Sequence, residues 1–499
     1  MRLWQLGLWQ ASRGRDEVMF DQAAAATEDD RLDGQDSLWR GAVSGLGALV
    51  LVLIWPVLLR ALQPFQIDYS EGWNVLREMQ AALGVPLYGA PPGLSITNYP
   101  PLYFHAVAWL APVFGGDFNL TGRVLAFISL LGLASFAGKV TARLTRRPIV
   151  GVAAGLLFLL AFLLYDPTRV AENDPQLPAM VLEVWGFWMA VRSGRRGAGL
   201  MASAPLFALA VFCKPNLIAL TLALAATLIW AGAWRRLARW ACFGLVCGIS
   251  LYVLTVHIDG RYFLAHLLWP RFYSVREALH EGGNDLLINM PLMALSVRWC
   301  WRNRARMEGR MLGMAWAASH GLALLYAGGD GVGRNIFFES LWLDVALATA
   351  SVSEIRQWTG WRVAALGGLA LLPLSQLPGN FRVSLQDWQA APVRAAQFGQ
   401  GVALLRASPG PVICENLLMC ADGGKLPLYD PYFLRDQIKD GRAGVNVMNQ
   451  PADMVEVGDT DRVPHHVDAR FTSAFLAQLP AHYVVALRTP AFTIWRAKG

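Results

Sequence analysis

The residues whose type and spacing can support chemistry gather just outside apolar segments. Ile67-Asp68-Tyr69-Ser70-Glu71-Gly72-Trp73 follows the first long apolar window and sets two carboxylates three residues apart. At that spacing Asp68 and Glu71 share one face of a short helix along the membrane surface; the plain alternative is a solvated helix start with Asp68 as its N-cap. A second acid-rich run, Asp166-Pro167-Thr168-Arg169-Val170-Ala171-Glu172-Asn173-Asp174-Pro175, lies at another span end. Basic residues on that side are few: Lys214 between two apolar windows, Arg261 and Arg271 beside Trp269, and Arg334 before Asn335. Lys214 also reads as a snorkelling interface residue, and Arg261 and Arg271 as interfacial anchors. Glu183 and His320 fall inside apolar windows, where an ionisable group is a functional candidate or a helix-packing hydrogen bonder.

These residues are positioned by a chain built for a bilayer. Of 499 residues, 55% are hydrophobic and 16% charged, and the mean hydropathy is +0.36. Apolar windows of about 15–20 residues recur along most of its length, which excludes a soluble enzyme, a disordered scaffold and a single-anchor receptor. The net charge of +7 would suggest nucleic acid in a soluble protein. Here the arginines sit in short clusters between apolar windows and report membrane topology, with no nucleic-acid partner. Residues 1–39 read as a cytosolic, disordered tail. Only Cys414 and Cys420 of the six cysteines lie outside apolar or cytosol-facing stretches, so no disulfide framework and no CxxC metal site is expected.

The predicted spans are 41–59, 123–141, 149–165, 176–191, 199–213, 216–233, 241–257, 286–299, 311–327, 337–351 and 363–378, about eleven in all. Residues 102–114 are too short to cross and are expected to lie at the outer surface. With that choice the clusters Arg143/Arg146/Arg147, Arg192/Arg195/Arg196, Arg235/Arg236/Arg239, Arg298/Arg302/Arg304/Arg306 and Arg356/Arg362 all face inward. The outer side receives loops 63–122, 166–175, 258–285 and 328–336 and the region 379–499, whose strand-like runs Pro411-VIC and His482-YVVAL suggest a small α/β domain.

The ordered set D-x-x-E-G (Asp68 to Gly72), G-x-P-L-Y (Gly84 to Tyr88), N-Y-P-P-L (Asn98 to Leu102), Gly122-Arg123, Asn173-Asp174-Pro175-Gln176, Lys214-Pro215-Asn216 and Asn335 to Glu339 resembles the membrane-embedded GT-C glycosyltransferases. The bacterial branch related to protein O-mannosyltransferases and aminoarabinose transferases is the nearest match. The resemblance covers about residues 41–350, and the C-terminal runs Glu415-Asn416-Leu417 and Tyr429-Asp430-Pro431 are similar to the outer domain of part of that family.

It implies an α-helical polytopic membrane enzyme at residues 40–378, with a small C-terminal α/β extracytoplasmic domain, in the inner (plasma) membrane. The donor would be a polyprenyl-phosphate-linked sugar and the acceptor a lipid, glycan or protein hydroxyl. Asp68 is then the first choice for general base and Glu71 the second. Asn98, Tyr99, Asp174, Lys214, Arg271, Arg334 and Asn335 would bind substrate, the basic ones meeting the leaving phosphate. A divalent cation (Mg or Mn), if used, would sit on Asp68 and Asp174. A transporter or flippase of lipid-linked sugars is the competing class, and it would place coupling residues nearer the membrane midplane.

Overall fold

The computed structural model describes residues 36–91, 93, 95–193, 197–355, 377–458 and 470–498. Residues 363–376 of the expected span 363–378 and the arginines 195, 196, 356 and 362 lie outside the described residues, as does the tail up to residue 35.

The described residues open with α1 (Asp36–Ala61), so the last residues assigned to the tail are already helical. There follow α2 (Tyr69–Ala82), α3 (Leu102–Leu110), α4 (Phe118–Thr145), α5 (Pro148–Tyr165), α6 (Gln176–Arg192), α7 (Ala198–Cys213), α8 (Ala219–Trp230) and α9 (Trp234–Asp259). The short α10 (Phe263–Leu267) leads into α11 (Val275–Asn303), α12 (Met307–Tyr326) and α13 (Phe338–Ser353). Five of these helices, α1, α4, α5, α9 and the stretch Arg334–Ser353, are long and apolar enough to cross a membrane. This is a multi-pass membrane protein. Within the described residues the other predicted spans also fall on helices, but α7 and α8 are shorter than a full crossing, so length and composition there do not confirm the number eleven. Residues 102–114 form α3 and a 3₁₀ turn, with Trp109 80% exposed.

α13 is the axis of the bundle: 83% of the apolar window in the stretch Arg334–Ser353 is buried, against 6% for α9 at the periphery. It packs on α4, α5, α11 and α12, and its Trp342 indole donates to the Leu133 carbonyl of α4 at 2.9 Å.

Beyond the membrane helices, α14 (Leu377–Arg406) leads into a mixed α/β unit: β1 (Val412–Cys414), α15 (Leu417–Asp422), α16 (Pro431–Lys439), β2 (Met454–Gly458), α17 (Ser473–His482), β3 (Tyr483–Arg488) and β4 (Phe492–Ala497). The strand order is β1-β2-β4-β3, with β1 and β2 parallel and the remaining pairs antiparallel. Cys414 and Cys420 are disulfide-bonded, which corrects the expectation of no disulfide. The chain turns from β1 into α15 within seven residues and brings their Cα atoms to 6.2 Å, a separation that favours a bridge.

This unit and the bundle meet through α2. Val75 belongs to the apolar core formed by Phe398, Leu418, Met419 and Ile494. Gly72 is required there, since a Cβ would lie 2.5 Å from the Gln66 amide oxygen and 2.6 Å from the Leu418 backbone nitrogen.

Candidate functional site

A cavity of about 500 Å³ lies between the site-side ends of the membrane helices and the α/β unit. Asp68, Asn98, Tyr99, Asp174, Arg271 and Asn335 all line it, so the fold brings six of the expected residues together. Glu71, Lys214 and Arg334 do not line it.

Asp68 is the N-cap of α2: its Oδ1 accepts from the Ser70 backbone N–H at 2.9 Å and from the Ser70 hydroxyl at 2.7 Å. Capping occupies one oxygen. Oδ2 has no protein partner among the described residues and opens to the cavity. Burial alone would raise the Asp68 acid, but Arg169, the two Ser70 hydrogen bonds and Arg470 outweigh it and hold the carboxyl below its ordinary value. Arg169 is itself fixed, donating to both oxygens of Glu172 at 2.6 and 2.7 Å, and Glu172 Oε1 also lies 2.7 Å from the Ser70 hydroxyl oxygen.

Glu71, one helical turn inward, is fully buried and wholly committed. Its oxygens accept from Arg123 Nε at 2.7 Å and Nη2 at 2.6 Å, from the Ile67 N–H at 2.6 Å and from the Asn173 N–H at 3.1 Å. Arg123 spends its other donors on the carbonyls of Ala61, Gln63 and Phe65. The pair therefore clamps the end of α1, the start of α2 and the second acid-rich loop onto α4. No oxygen of Glu71 is left for a substrate hydroxyl. Gly122 has its own reason to precede Arg123, because a side chain there would run into the Asn173 amide.

Asn173 holds the same joint from the other side. Its carbonyl accepts from Asn74, its amide oxygen from the Tyr103 hydroxyl at 2.6 Å, and its amide nitrogen donates to Glu78 at 3.1 Å. Burial pushes Glu78 well above the carboxylate range. The neighbouring Ala171 adopts φ 54°, a left-handed conformation that a non-glycine residue takes only when its surroundings impose it.

Asp174 reaches the cavity with Lys214 behind it: Lys214 Nζ donates to Asp174 Oδ1 at 2.9 Å, is 4% exposed and lies 4.9 Å from the Tyr99 ring centre. The Gln176 N–H also donates to that oxygen at 2.7 Å. An ammonium in contact with Asp174 offsets the charge a divalent cation would need, and Asp174 and Asp68 form no three-ligand group. The donor set does not fit a preformed metal centre; among the described residues the one such group is Glu277, His280 and Glu281, on α11 outside the cavity lining.

The loop carrying Asn98 and Tyr99 is strapped in place. His266 Nδ1 accepts from the Thr97 N–H at 3.1 Å and Nε2 donates to the Gly89 carbonyl at 2.8 Å, a neutral imidazole that burial keeps below its ordinary pKa. The Tyr88 hydroxyl donates to the Tyr99 carbonyl at 2.9 Å, and Arg77 bonds Ser95. Arg334 lies 5.9 Å from the Tyr165 ring centre, and Arg261 rests on Tyr262 as an interface anchor would. Glu183 accepts from the Leu220 N–H at 3.1 Å, and His320 pairs with Asp344 at 3.1 Å, both as helix-packing contacts.

The α/β unit supplies a wall that the sequence did not single out for chemistry. Asp430, N-cap of α16, accepts from the Tyr69 hydroxyl at 2.7 Å and the Trp73 indole at 3.1 Å. Arg470 stacks 4.1 Å from the Tyr69 ring centre, and Tyr432 donates to Asp330 at 3.1 Å. The signal for Asp430 was its place before Pro431, a helix-start pattern; Arg470 and Asp330 had none.

No family model and no curated protein sequence matches the chain. Solved structures do. ArnT from Cupriavidus metallidurans in the apo state superposes with a TM-score of 0.59 at 15% identity, over 91% of this chain and 98% of that one. The same protein bound to undecaprenyl phosphate gives 0.57 at 13% identity, with the same coverage. The chain has the GT-C fold. A weaker likeness, TM-score 0.46 at 12% identity over 82% of this chain and 69% of that one, is to the oligosaccharyltransferase AglB from Archaeoglobus fulgidus. The sequence resemblance reached residue 350; the ArnT likeness covers 91% of the chain.

Proposed function

We propose that this chain is a GT-C-type membrane glycosyltransferase that moves a sugar from a polyprenyl-phosphate carrier to an acceptor hydroxyl, with inversion, on the extracytoplasmic face of the inner membrane. The observation that carries the reading is Asp68: an ionised carboxylate with one oxygen held by Ser70 and the other open to a cavity of about 500 Å³. The fold adds weight, because ArnT bearing undecaprenyl phosphate has the same architecture.

In this scheme the acceptor O–H gives its proton to Asp68 Oδ2 while the acceptor oxygen bonds the anomeric carbon. The bond from that carbon to the phosphate oxygen breaks, and its electron pair leaves with the polyprenyl phosphate. Arg271, exposed at the membrane rim of the cavity, meets the phosphate together with Asn335. Arg334 stands next to them in sequence. Asn98, Tyr99 and Asp174 hold sugar hydroxyls, and Lys214 holds Asp174 in orientation. A lipid-linked donor needs such a site at helix ends, since its tail stays in hydrocarbon. The Cys414–Cys420 disulfide suits an oxidising compartment, and the arginines of the α4–α5 and α11–α12 turns lie at the opposite end of the bundle.

Mass spectrometry of lipid-linked sugars and envelope glycans from cells with and without the gene tests the activity. Loss of one sugar-bearing product with accumulation of its charged carrier is expected; unchanged profiles contradict it. For orientation, Ala90→Cys should react with an impermeant thiol reagent in intact cells and Ser193→Cys should not. The reverse pattern would place the site in the cytosol.

A further inference from the structure

The membrane helices line a second, open cavity of about 730 Å³, far from the site. α11 starts at Val275, close to Phe272 in the site wall, and its 29 residues end at Asn303. At 1.5 Å per residue that helix spans about 43 Å. Around its last turns, the first half of α12 and the end of α8 complete a groove walled by Trp230, Trp301 and Trp316, with Gly313 in its lining.

Two arginines enter the lining of this groove, while others at that end are paired with acids. Arg143 pairs with Glu308 at 2.7 Å, and Arg302 reaches Glu354 at 3.6 Å. Arg304 and Arg310, both in the groove lining, have no acidic partner among the described residues. Arg304 stacks 4.1 Å from the Trp301 ring centre and donates from Nη1 to the Trp301 carbonyl at 2.6 Å. Arg310 lies 5.9 Å from the Trp230 ring centre and donates from Nε to the Arg304 carbonyl at 2.9 Å. Both guanidiniums are thus held beside one apolar groove with donors to spare.

We propose that the groove binds one anionic phospholipid from the leaflet opposite the site, its phosphate between Arg304 and Arg310 and an acyl chain along the tryptophan walls. Guanidinium forks match phosphate oxygens, and indoles belong at the depth where headgroup meets hydrocarbon. A lipid without net negative charge leaves the two arginines uncompensated, and a docked helix would have to bring acids of its own. The site is independent of the transfer reaction.

The test uses the full chain in phosphatidylcholine bilayers titrated with phosphatidylglycerol, with bound lipid read by native mass spectrometry. The wild type should retain phosphatidylglycerol over phosphatidylcholine, and Arg304→Ala/Arg310→Ala should weaken that retention about thirtyfold, from the usual contribution of two interfacial arginines. Gly313→Leu should weaken it without a change of charge, since a Cβ there meets only Cys300, at 3.8 Å, and the longer side chain enters the groove. If the double variant does not fold, Gly313→Leu decides alone. Equal retention of both lipids by the wild type, unchanged retention in the variants, or a changed oligomeric state with unchanged lipid binding would each overturn the proposal.

Discussion

Asp68 and Glu71 open the same turn of α2, yet they sit in opposite surroundings. Asp68 ends the loop before the helix, and only one of its oxygens is used, for capping. Glu71 points into the joint between α1, α2 and α4, where four N–H donors fill its lone pairs. Both are acids held by arginines, but Arg123 contacts Glu71 directly, whereas Arg169 acts on Asp68 across space through its field. A direct, fully satisfied pair makes a clamp. A carboxylate kept ionised by charges it does not touch retains a free oxygen, which is what a proton acceptor needs.

The clamp should be the costliest part to break. Arg123→Ala leaves Glu71 buried and unpaired, which typically costs about 3–5 kcal/mol; loss of folded protein from the membrane, or a large fall in Tm in detergent, is expected. A variant with wild-type Tm would mean that the joint does not depend on this pair. A smaller effect is expected at Ser70, whose hydroxyl and N–H both bond Asp68. Asp68 is held below its ordinary value, so transfer should persist as pH falls and be lost only once the pH passes below the usual carboxylate range of about 3.9. Ser70→Ala removes the hydroxyl bond and should shift that acid limb to higher pH, by about one unit or less. An unmoved limb in the pH–rate profile would separate Asp68 from the step it reports. The smallest effect belongs to Glu78. Its folded value is raised, so any stability it contributes is present at low pH and lost as pH rises. Glu78→Gln, which supplies an uncharged isostere, should leave Tm at pH 7 unchanged or raise it; a clear fall would show that the ionised form is needed.

Much of the bundle was legible because hydrophobic windows and arginine clusters report helices and turns directly, and every predicted span within the described residues coincides with a helix. The cavity was partly legible: Asp68, Asn98, Tyr99, Asp174, Arg271 and Asn335 come from four separate segments and share one wall. What stayed hidden was pairing. A sequence shows that Lys214 is an isolated cation near a span end, but not that Asp174 takes its charge at 2.9 Å. It shows Gly122-Arg123 as a motif, but not that Arg123 reaches back to Glu71 across 52 positions. The disulfide was missed because Cys414 and Cys420 are joined by a strand-to-helix turn whose tightness no spacing rule reveals. Asp330, Asp430 and Arg470 were missed for a related reason: they become site residues only when the α/β unit docks on α2.

The central claim is that Asp68, and not its neighbour Glu71, accepts the proton. Single-turnover transfer by purified Asp68→Asn, loaded with polyprenyl-phosphate sugar and compared with wild type in the same membranes, tests it most directly. The account predicts a rate lower by roughly 10²–10⁴ with donor binding and Tm retained, because the amide keeps the helix cap but cannot take a proton. A rate near that of the wild type would contradict it.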